Sequence, residues 1–111
     1  RTEYWDYCPQ HVLDTVFDGN FPGYDLEHAA LIETSMMLYW QPELVRVDAI
    51  PQNDQADFDI FDRYPQDGKG VPASGVLAPA RGASYDKGQL IIENTVAEIA
   101  RALAAHFGLV I

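Results

Sequence analysis

At 111 residues, 48% of them hydrophobic, the chain fits one small domain with a real core, and its formal net charge is −10. Because binding to nucleic acid or to an anionic membrane surface needs clustered Lys and Arg, of which the chain has only 7, both are excluded as partners. No window approaches the roughly 18 to 20 consecutive apolar residues of a membrane span and no signal peptide opens the chain, so we expect a soluble, cytoplasmic protein.

The N-terminal segment predicts the end of a strand followed by a short helix. Thr2–Trp5 is β-prone but has no neighbouring strand to pair with, which indicates a start inside a domain. Pro9 suits a first helical turn, and the helix that follows it should run through Phe17 and end at Gly19. Cys8 has no Cys or His partner at metal-binding spacing, so we interpret it as a small buried hydrophobe.

The central segment predicts a loop that leads into a buried helix. The turn residues 20–23 place Tyr24–His28 on that loop. The next helix, Ala29–Trp40, is apolar on nearly every side and should therefore be packed inside the protein. Pro42 forces a break, and Val47–Ile50 is short and extended in character. Core positions expected on this helix are Met36, Met37 and Trp40.

An acidic segment follows between Asp48 and Asp67. It carries six Asp against one Arg, so we expect a solvated loop that faces another subunit. Residues 76–80 predict a short strand. The loop should be ordered by its interleaved apolar residues, Phe58, Ile60, Phe61 and Tyr64.

A long amphipathic helix, Tyr85–Phe107, should close the domain. Ser84 is a good N-cap, Asp86 lies in the first turn, and Gly108 is well placed to end the helix. Helices that alternate with short strands predict a layered α/β fold, although the strands are too few for a closed sheet. The apolar face that helical spacing selects consists of Ile92, Val96, Ile99, Leu103 and Phe107.

Ionisable residues cluster where the central helix begins. Asp25, Glu27 and His28 precede the helix, and Glu33 follows inside it. Burying a carboxylate or an imidazole costs several kcal/mol unless the group is paired or bound. The cluster therefore indicates a chemical role.

This cluster, with the apolar helix and the Pro42–Val45 segment after it, resembles the C-terminal half of the creatininase family. Two further matches, Tyr4–Asp6 and Gly82–Gly88, fall in the family's order, so the resemblance spans almost the whole chain. It implies that residues 1–111 are the C-terminal part of a single three-layer α/β/α domain. The N-terminal, metal-binding half would precede residue 1.

The resemblance also implies an activity. Family members are metal-dependent amidohydrolases, usually hexamers, whose two zinc or manganese ions are held by the N-terminal half. We expect no metal ligand in this chain, and a companion chain or lost segment that supplies the metals. The expected substrate is a cyclic amide, foremost creatinine, which would be converted to creatine. Tyr24 stands where the family has Trp, so a formamide or short-peptide substrate stays open, as does a non-catalytic assembly subunit.

Each residue of the cluster has an expected role and an alternative. The catalytic pair would be His28, as proton shuttle, and Glu33, which would orient it or instead form a buried salt bridge with Arg81. Alternatively, Asp25 caps the loop and Glu27 is an exposed first-turn carboxylate. His11 and His106 are expected to have no catalytic part. The substrate wall would comprise Trp5, Tyr24, Asp25, Leu26, Glu27 and His28.

Overall fold

Three α-helices organise the chain. In a computed structural model, which describes residues 1–59, 61 and 63–111, none of these helices is long and apolar enough to cross a membrane. The described residues contain no β-strand. In chain order the elements are a 3₁₀ turn Tyr4–Asp6, α1 Gln10–Val16, α2 Leu31–Trp40, two 3₁₀ turns Pro42–Leu44 and Val47–Ala49, and α3 Tyr85–Phe107.

The strand predictions are wrong at all three positions. At the N-terminus the chain turns at Tyr4–Asp6, because the Asp6 carboxylate accepts from the Glu3 N–H at 3.0 Å and the Asp6 N–H donates back to the Glu3 carbonyl at 3.1 Å. A local capping box therefore replaces the pairing that a strand would need. Val47–Ala49 is likewise a 3₁₀ turn.

Residues 76–80 keep one property of a strand without forming one. Val76, Ala78 and Ala80 are buried in alternation, as on one face of a sheet. The hydrogen bonds of this stretch are too sparse for a ladder. The Leu77 carbonyl accepts from the Ala56 N–H at 2.7 Å, and the Leu77 N–H donates to the His28 carbonyl at 3.3 Å.

The acidic segment is held by polar contacts rather than by its aromatic residues. The Arg81 guanidinium binds the Asp54 carboxylate at 2.7 Å and the Gln52 carbonyl at 3.0 Å. Phe58 and Tyr64 are exposed, so the expectation that they order the loop is wrong. Phe61 is exposed too, whereas Ile60 lies outside the described residues.

The centre of the fold is the close crossing of α2 and α3. A Cβ built on Gly88 would lie 1.9 Å from the Ser35 carbonyl oxygen, so only glycine permits this approach. The Ser35 hydroxyl is fully buried and accepts from the Ser84 N–H at 3.1 Å. Further along, the rings of Tyr39 and Tyr85 meet edge to face, with centroids 5.1 Å apart. The two helices are therefore closely packed against each other.

Two small apolar clusters pack around this helix pair. In the first, α1 contacts the start of α2 and the middle of α3, and in the second the residue before α2 contacts the 76–80 stretch. The first cluster contains Val12, Leu13, Val16, Leu31, Ile32 and Ile91, and the second contains Ala30, Val76, Ala78 and Ala80.

The predicted bounds of α3 are confirmed. Ser84 is the N-cap and its hydroxyl accepts from the Lys87 N–H at 3.2 Å. Gly108 ends the helix in the left-handed region, with φ of +64°.

The apolar face predicted for α3 is buried only in part, since Ile92 and Ile99 are half-buried and the other three positions are exposed. Val96, Leu103 and Phe107 are 57%, 50% and 65% exposed. The buried face carries Gly88 and Ile91 instead, because the close approach at Gly88 turns that side of the helix toward α2. An apolar stripe beside this face is left open.

The predicted end of α2 at Trp40 is confirmed, whereas its predicted start and two of its expected core positions need correction. The helix begins at Leu31, because Ala29 has φ of +53°, outside the right-handed helical region. Met37 and Trp40 are exposed, so their expected core positions are wrong, whereas Met36 packs against the first cluster.

Candidate functional site

The loop before α2 is a series of tight turns. Gly23, with φ of +98°, opens it, and the Gly23 carbonyl accepts from the Glu27 N–H at 3.2 Å. The His28 N–H donates to the Leu26 carbonyl at 2.9 Å, and the His28 carbonyl accepts from Leu77. Hydrogen bonds therefore hold the backbone on both sides of the His28 side chain, which is exposed.

Glu27 lies beneath this loop. It is only 4% exposed, and its two carboxylate oxygens accept from the Leu31 N–H at 3.2 Å and the Ile32 N–H at 2.9 Å. These bonds cap α2, whose N-cap residue Ala30 has no side-chain acceptor. Burial raises the pKa of Glu27, and the two backbone hydrogen bonds oppose that rise. The alternative of an exposed carboxylate is therefore wrong.

Glu33 reaches backward from the first turn of α2. Its Oε2 accepts from the Ala29 N–H at 2.5 Å. In the part of the chain that the structure describes, this bond goes to the backbone beside His28 rather than to its imidazole. Arg81 pairs with Asp54, so the alternative of a salt bridge between Glu33 and Arg81 is wrong.

The remaining predicted residues of the loop differ in exposure. Asp25 is exposed, whereas Leu26 is half-buried and packs against the second apolar cluster. Asp25 can therefore meet a ligand directly, and Leu26 instead anchors the loop.

An aromatic cluster adjoins the loop. The Trp5 ring lies 6.3 Å from that of Tyr24 and 5.1 Å from that of Tyr4, and Phe21 packs on Tyr24 at 4.9 Å. Trp5 is 45% exposed, so part of its ring faces solvent. The structure therefore brings Trp5 and Tyr24 together. It adds Tyr4, which the sequence reasoning missed although this residue belongs to the same Tyr4–Asp6 motif.

Burial and the nearby carboxylates both affect the phenol groups of the aromatic cluster. Burial, together with the negative charges of Glu33 and Glu27, raises the pKa of Tyr4 to about 12. Burial also raises the pKa of Tyr24, with a further contribution from the adjacent Cys8. The phenols therefore stay neutral at physiological pH, and the negative charge near them comes from the carboxylates.

Two hydroxyl groups in this region lack partners. Tyr24 Oη and Thr95 Oγ1 are buried without a hydrogen bond among the described residues. Cys8 is half-buried against the first apolar cluster, and burial raises its pKa. A neutral thiol packed in this way agrees with its interpretation as a small hydrophobe.

A shallow groove runs along the other side of Glu33. Its volume is about 440 Å³, and it is open to solvent. Ala29 and Glu33 form one wall, and Met37, Leu44 and Arg46 lie further along it. The hydrogen-bonded pair of Ala29 and Glu33 therefore borders an accessible surface.

Comparisons with known proteins place these features in context. A family model described as "Creatininase: Creatinine amidohydrolase" matches residues 8–103. The creatinine amidohydrolase of Pseudomonas putida is 38% identical over 105 residues, which cover 94% of this chain and 40% of that protein. A solved structure named "Creatininase Mn" is 37% identical with a TM-score of 0.88, over 96% of this chain and 42% of the other. A mutant creatininase complexed with creatine is 38% identical with a TM-score of 0.87, over 95% of this chain and 42% of the other.

The relatives are longer than this chain. It spans about two fifths of the curated relative and of the solved structures that it matches. The similarity nevertheless runs almost end to end on this chain and includes the loop, α2 and most of α3.

Proposed function

Because the chain belongs to the creatininase family, we propose that it forms the C-terminal part of an amidohydrolase that opens creatinine to creatine. One observation carries the proposal: the exposed imidazole of His28 projects from a backbone held on both sides, in a loop that adjoins the cluster of Tyr4, Trp5 and Tyr24. The complex of a related creatininase with creatine supports this choice of substrate.

The proton-transfer role belongs to His28. When the C–N bond of a cyclic amide breaks, the leaving nitrogen must gain a proton. Imidazole is the side chain suited to carry that proton near neutral pH. His28 is exposed, and the hydrogen bonds that hold the loop use its backbone N–H and carbonyl. Its imidazole can therefore donate to a substrate.

The substrate wall combines aromatic faces with a carboxylate. The exposed part of Trp5, with Tyr24 beside it, can cover a flat, electron-poor ring. Asp25 is exposed and can accept hydrogen bonds from guanidino-type nitrogens. Because Tyr24 is smaller than the Trp it replaces, we propose hydrolysis of a formamide or a short peptide as the alternative activity.

The metal ions would come from the preceding part of the protein. Among residues 1–59, 61 and 63–111, no group of three or more His, Cys, Asp or Glu is placed to hold a metal ion. The related structure named for manganese supports a metal in the family. The substrate wall and the proton shuttle are the parts that this chain would supply.

The open stripe of α3 supports a missing companion. Val96, Leu103 and Phe107 are at least half exposed along one side of the helix. Burying them would gain roughly 25 cal/mol for each Å² of apolar surface removed from water. We propose that the preceding part of a three-layer α/β/α domain covers this stripe, either as a lost segment or as a separate chain.

A chimera tests the function. This chain would replace the corresponding C-terminal segment of the Pseudomonas putida creatinine amidohydrolase, its 38% identical relative. With zinc or manganese, the chimera should form creatine from creatinine, while the 111-residue chain alone should not. The His28→Ala chimera should lose turnover and keep its metal content. His11→Ala is the matched control, since His11 is exposed on α1.

The outcomes separate the alternatives. Undiminished turnover in the His28→Ala chimera would remove the proton-shuttle role. Turnover of a formamide or a short peptide without turnover of creatinine would favour the alternative substrates. A folded, metal-loaded chimera with no amidohydrolase activity would favour a non-catalytic assembly subunit.

Assembly, which the resemblance implies, and location are two further proposals. We propose a hexamer located in the cytoplasm. Light scattering of the chimera, and localisation of the full-length protein in cells, would decide both points.

A further inference from the structure

The peptide group between His28 and Ala29 is fixed at both of its polar ends. Its carbonyl oxygen, which belongs to His28, accepts from the Leu77 N–H at 3.3 Å. Its N–H, which belongs to Ala29, donates to Glu33 Oε2 at 2.5 Å. Rotation of this peptide plane would break both hydrogen bonds at once.

The backbone at this position is strained. Ala29 has φ of +53°, in the left-handed region that residues with a Cβ rarely adopt. Such a conformation persists only where the surroundings impose it. On the C-terminal side the chain cannot relax freely, because Glu27 caps Leu31 and Ile32.

We propose that Glu33 is a positioning residue: its carboxylate holds the peptide plane between His28 and Ala29, and thereby sets the direction in which the His28 imidazole projects. Glu33 therefore acts through the backbone rather than through contact with the imidazole. The catalytic consequence rests on the proposed function of His28, whereas the geometric part does not.

Amide hydrogen exchange on the 111-residue chain tests the geometric part. Glu33→Ala removes the acceptor, so the Ala29 amide should exchange about tenfold faster or more, as expected for a hydrogen bond to a charged group. The Leu77 amide should also exchange faster, because its acceptor is the carbonyl of the released peptide plane. Glu33→Gln keeps an acceptor oxygen and should retain most of the protection.

A second substitution distinguishes positioning from general support of the fold. Glycine adopts the left-handed region without strain, so adding Ala29→Gly to Glu33→Ala should restore protection at Leu77. The Ala29 amide would stay unprotected, since its acceptor is gone. Glu98→Ala, which removes a helical carboxylate paired with Arg101, is the matched control and should leave both amides unchanged.

Three results would overturn the proposal. They are unchanged exchange at Leu77 in Glu33→Ala, faster exchange spread evenly over the chain, and no recovery at Leu77 after Ala29→Gly. In the active chimera, Glu33→Ala should lower kcat with little change in KM, and Ala29→Gly should recover part of the loss. If the unsubstituted chimera were inactive, the proposed function would fail, but hydrogen exchange would still decide the role of Glu33.

Discussion

Gly88→Ala is the sharpest test of the packing between α2 and α3. The new Cβ would lie 1.9 Å from the Ser35 carbonyl oxygen, 2.6 Å from the carbonyl carbon and 2.9 Å from Tyr39 Cβ. The first two atoms are backbone, so no rotamer change can relieve the contact, and the helices must separate. Overpacking of this kind costs about 1 to 3 kcal/mol or more. The better helix propensity of Ala returns about 1 kcal/mol.

The contact with backbone atoms places the overpacking cost at the upper end of its range. We therefore expect a net loss of about 2 kcal/mol. Chemical denaturation of the 111-residue chain, followed by circular dichroism, measures it. Ala105→Gly, at an exposed position of α3, is the control and should cost about 1 kcal/mol from propensity alone. A Gly88→Ala chain as stable as the unsubstituted one would refute the close crossing.

Two further changes test the caps of the helices. Ser84→Ala removes the hydroxyl that accepts from Lys87 and should cost about 1 kcal/mol in the same denaturation assay, and no loss would contradict the N-cap. For Glu27, burial raises the folded-state pKa above the ordinary 4.5, so the folded state keeps a proton that the unfolded state loses first. The stability contributed by Glu27 should therefore fall as pH rises from about 4.5 through the raised pKa, a trend that Glu27→Gln should abolish. Denaturation midpoints of the unsubstituted and Glu27→Gln chains across this pH range measure the difference in stability. Parallel pH profiles of the two chains would show that burial is not the dominant influence on the pKa of Glu27.

Local sequence signals were sufficient for α3. Ser84 and Gly108 act on their own neighbours, so both ends of the helix could be predicted. The start of α2 was missed by two residues, because the left-handed backbone of Ala29 depends on a carboxylate from Glu33, which periodicity does not reveal. Strands were predicted at Thr2–Trp5 and elsewhere, but a strand needs a partner, and none exists within the described part of the chain.

The face of α3 that packs against α2 could not be predicted from the sequence, for a different reason. Periodicity selects the bulkiest apolar stripe, which contains Val96 and Leu103. The crossing instead uses Gly88, because a missing side chain lets two backbones approach. A helix with two usable faces cannot be assigned from hydrophobicity alone.

The residues of the candidate site could be predicted from the sequence, but the contacts that they make could not. The family resemblance predicted that Trp5 and Tyr24 belong to one substrate wall, and the centroids of their rings lie 6.3 Å apart. The burial of Glu27 beneath the loop was not foreseen, because a carboxylate near a helix start is usually solvated. The carboxylate instead turns inward and caps the helix through the N–H groups of Leu31 and Ile32.

Leu77 connects the acidic segment to the backbone of His28. Its carbonyl accepts from the N–H of Ala56, which lies within that segment, and its N–H donates to the carbonyl of His28. Arg81 binds Gln52 and Asp54, so a second set of contacts joins residues 52–56 to residues 77–81. A substitution in residues 52–56 that displaces Leu77 would therefore shift the backbone that carries the His28 imidazole, acting through the His28 carbonyl rather than through the imidazole itself.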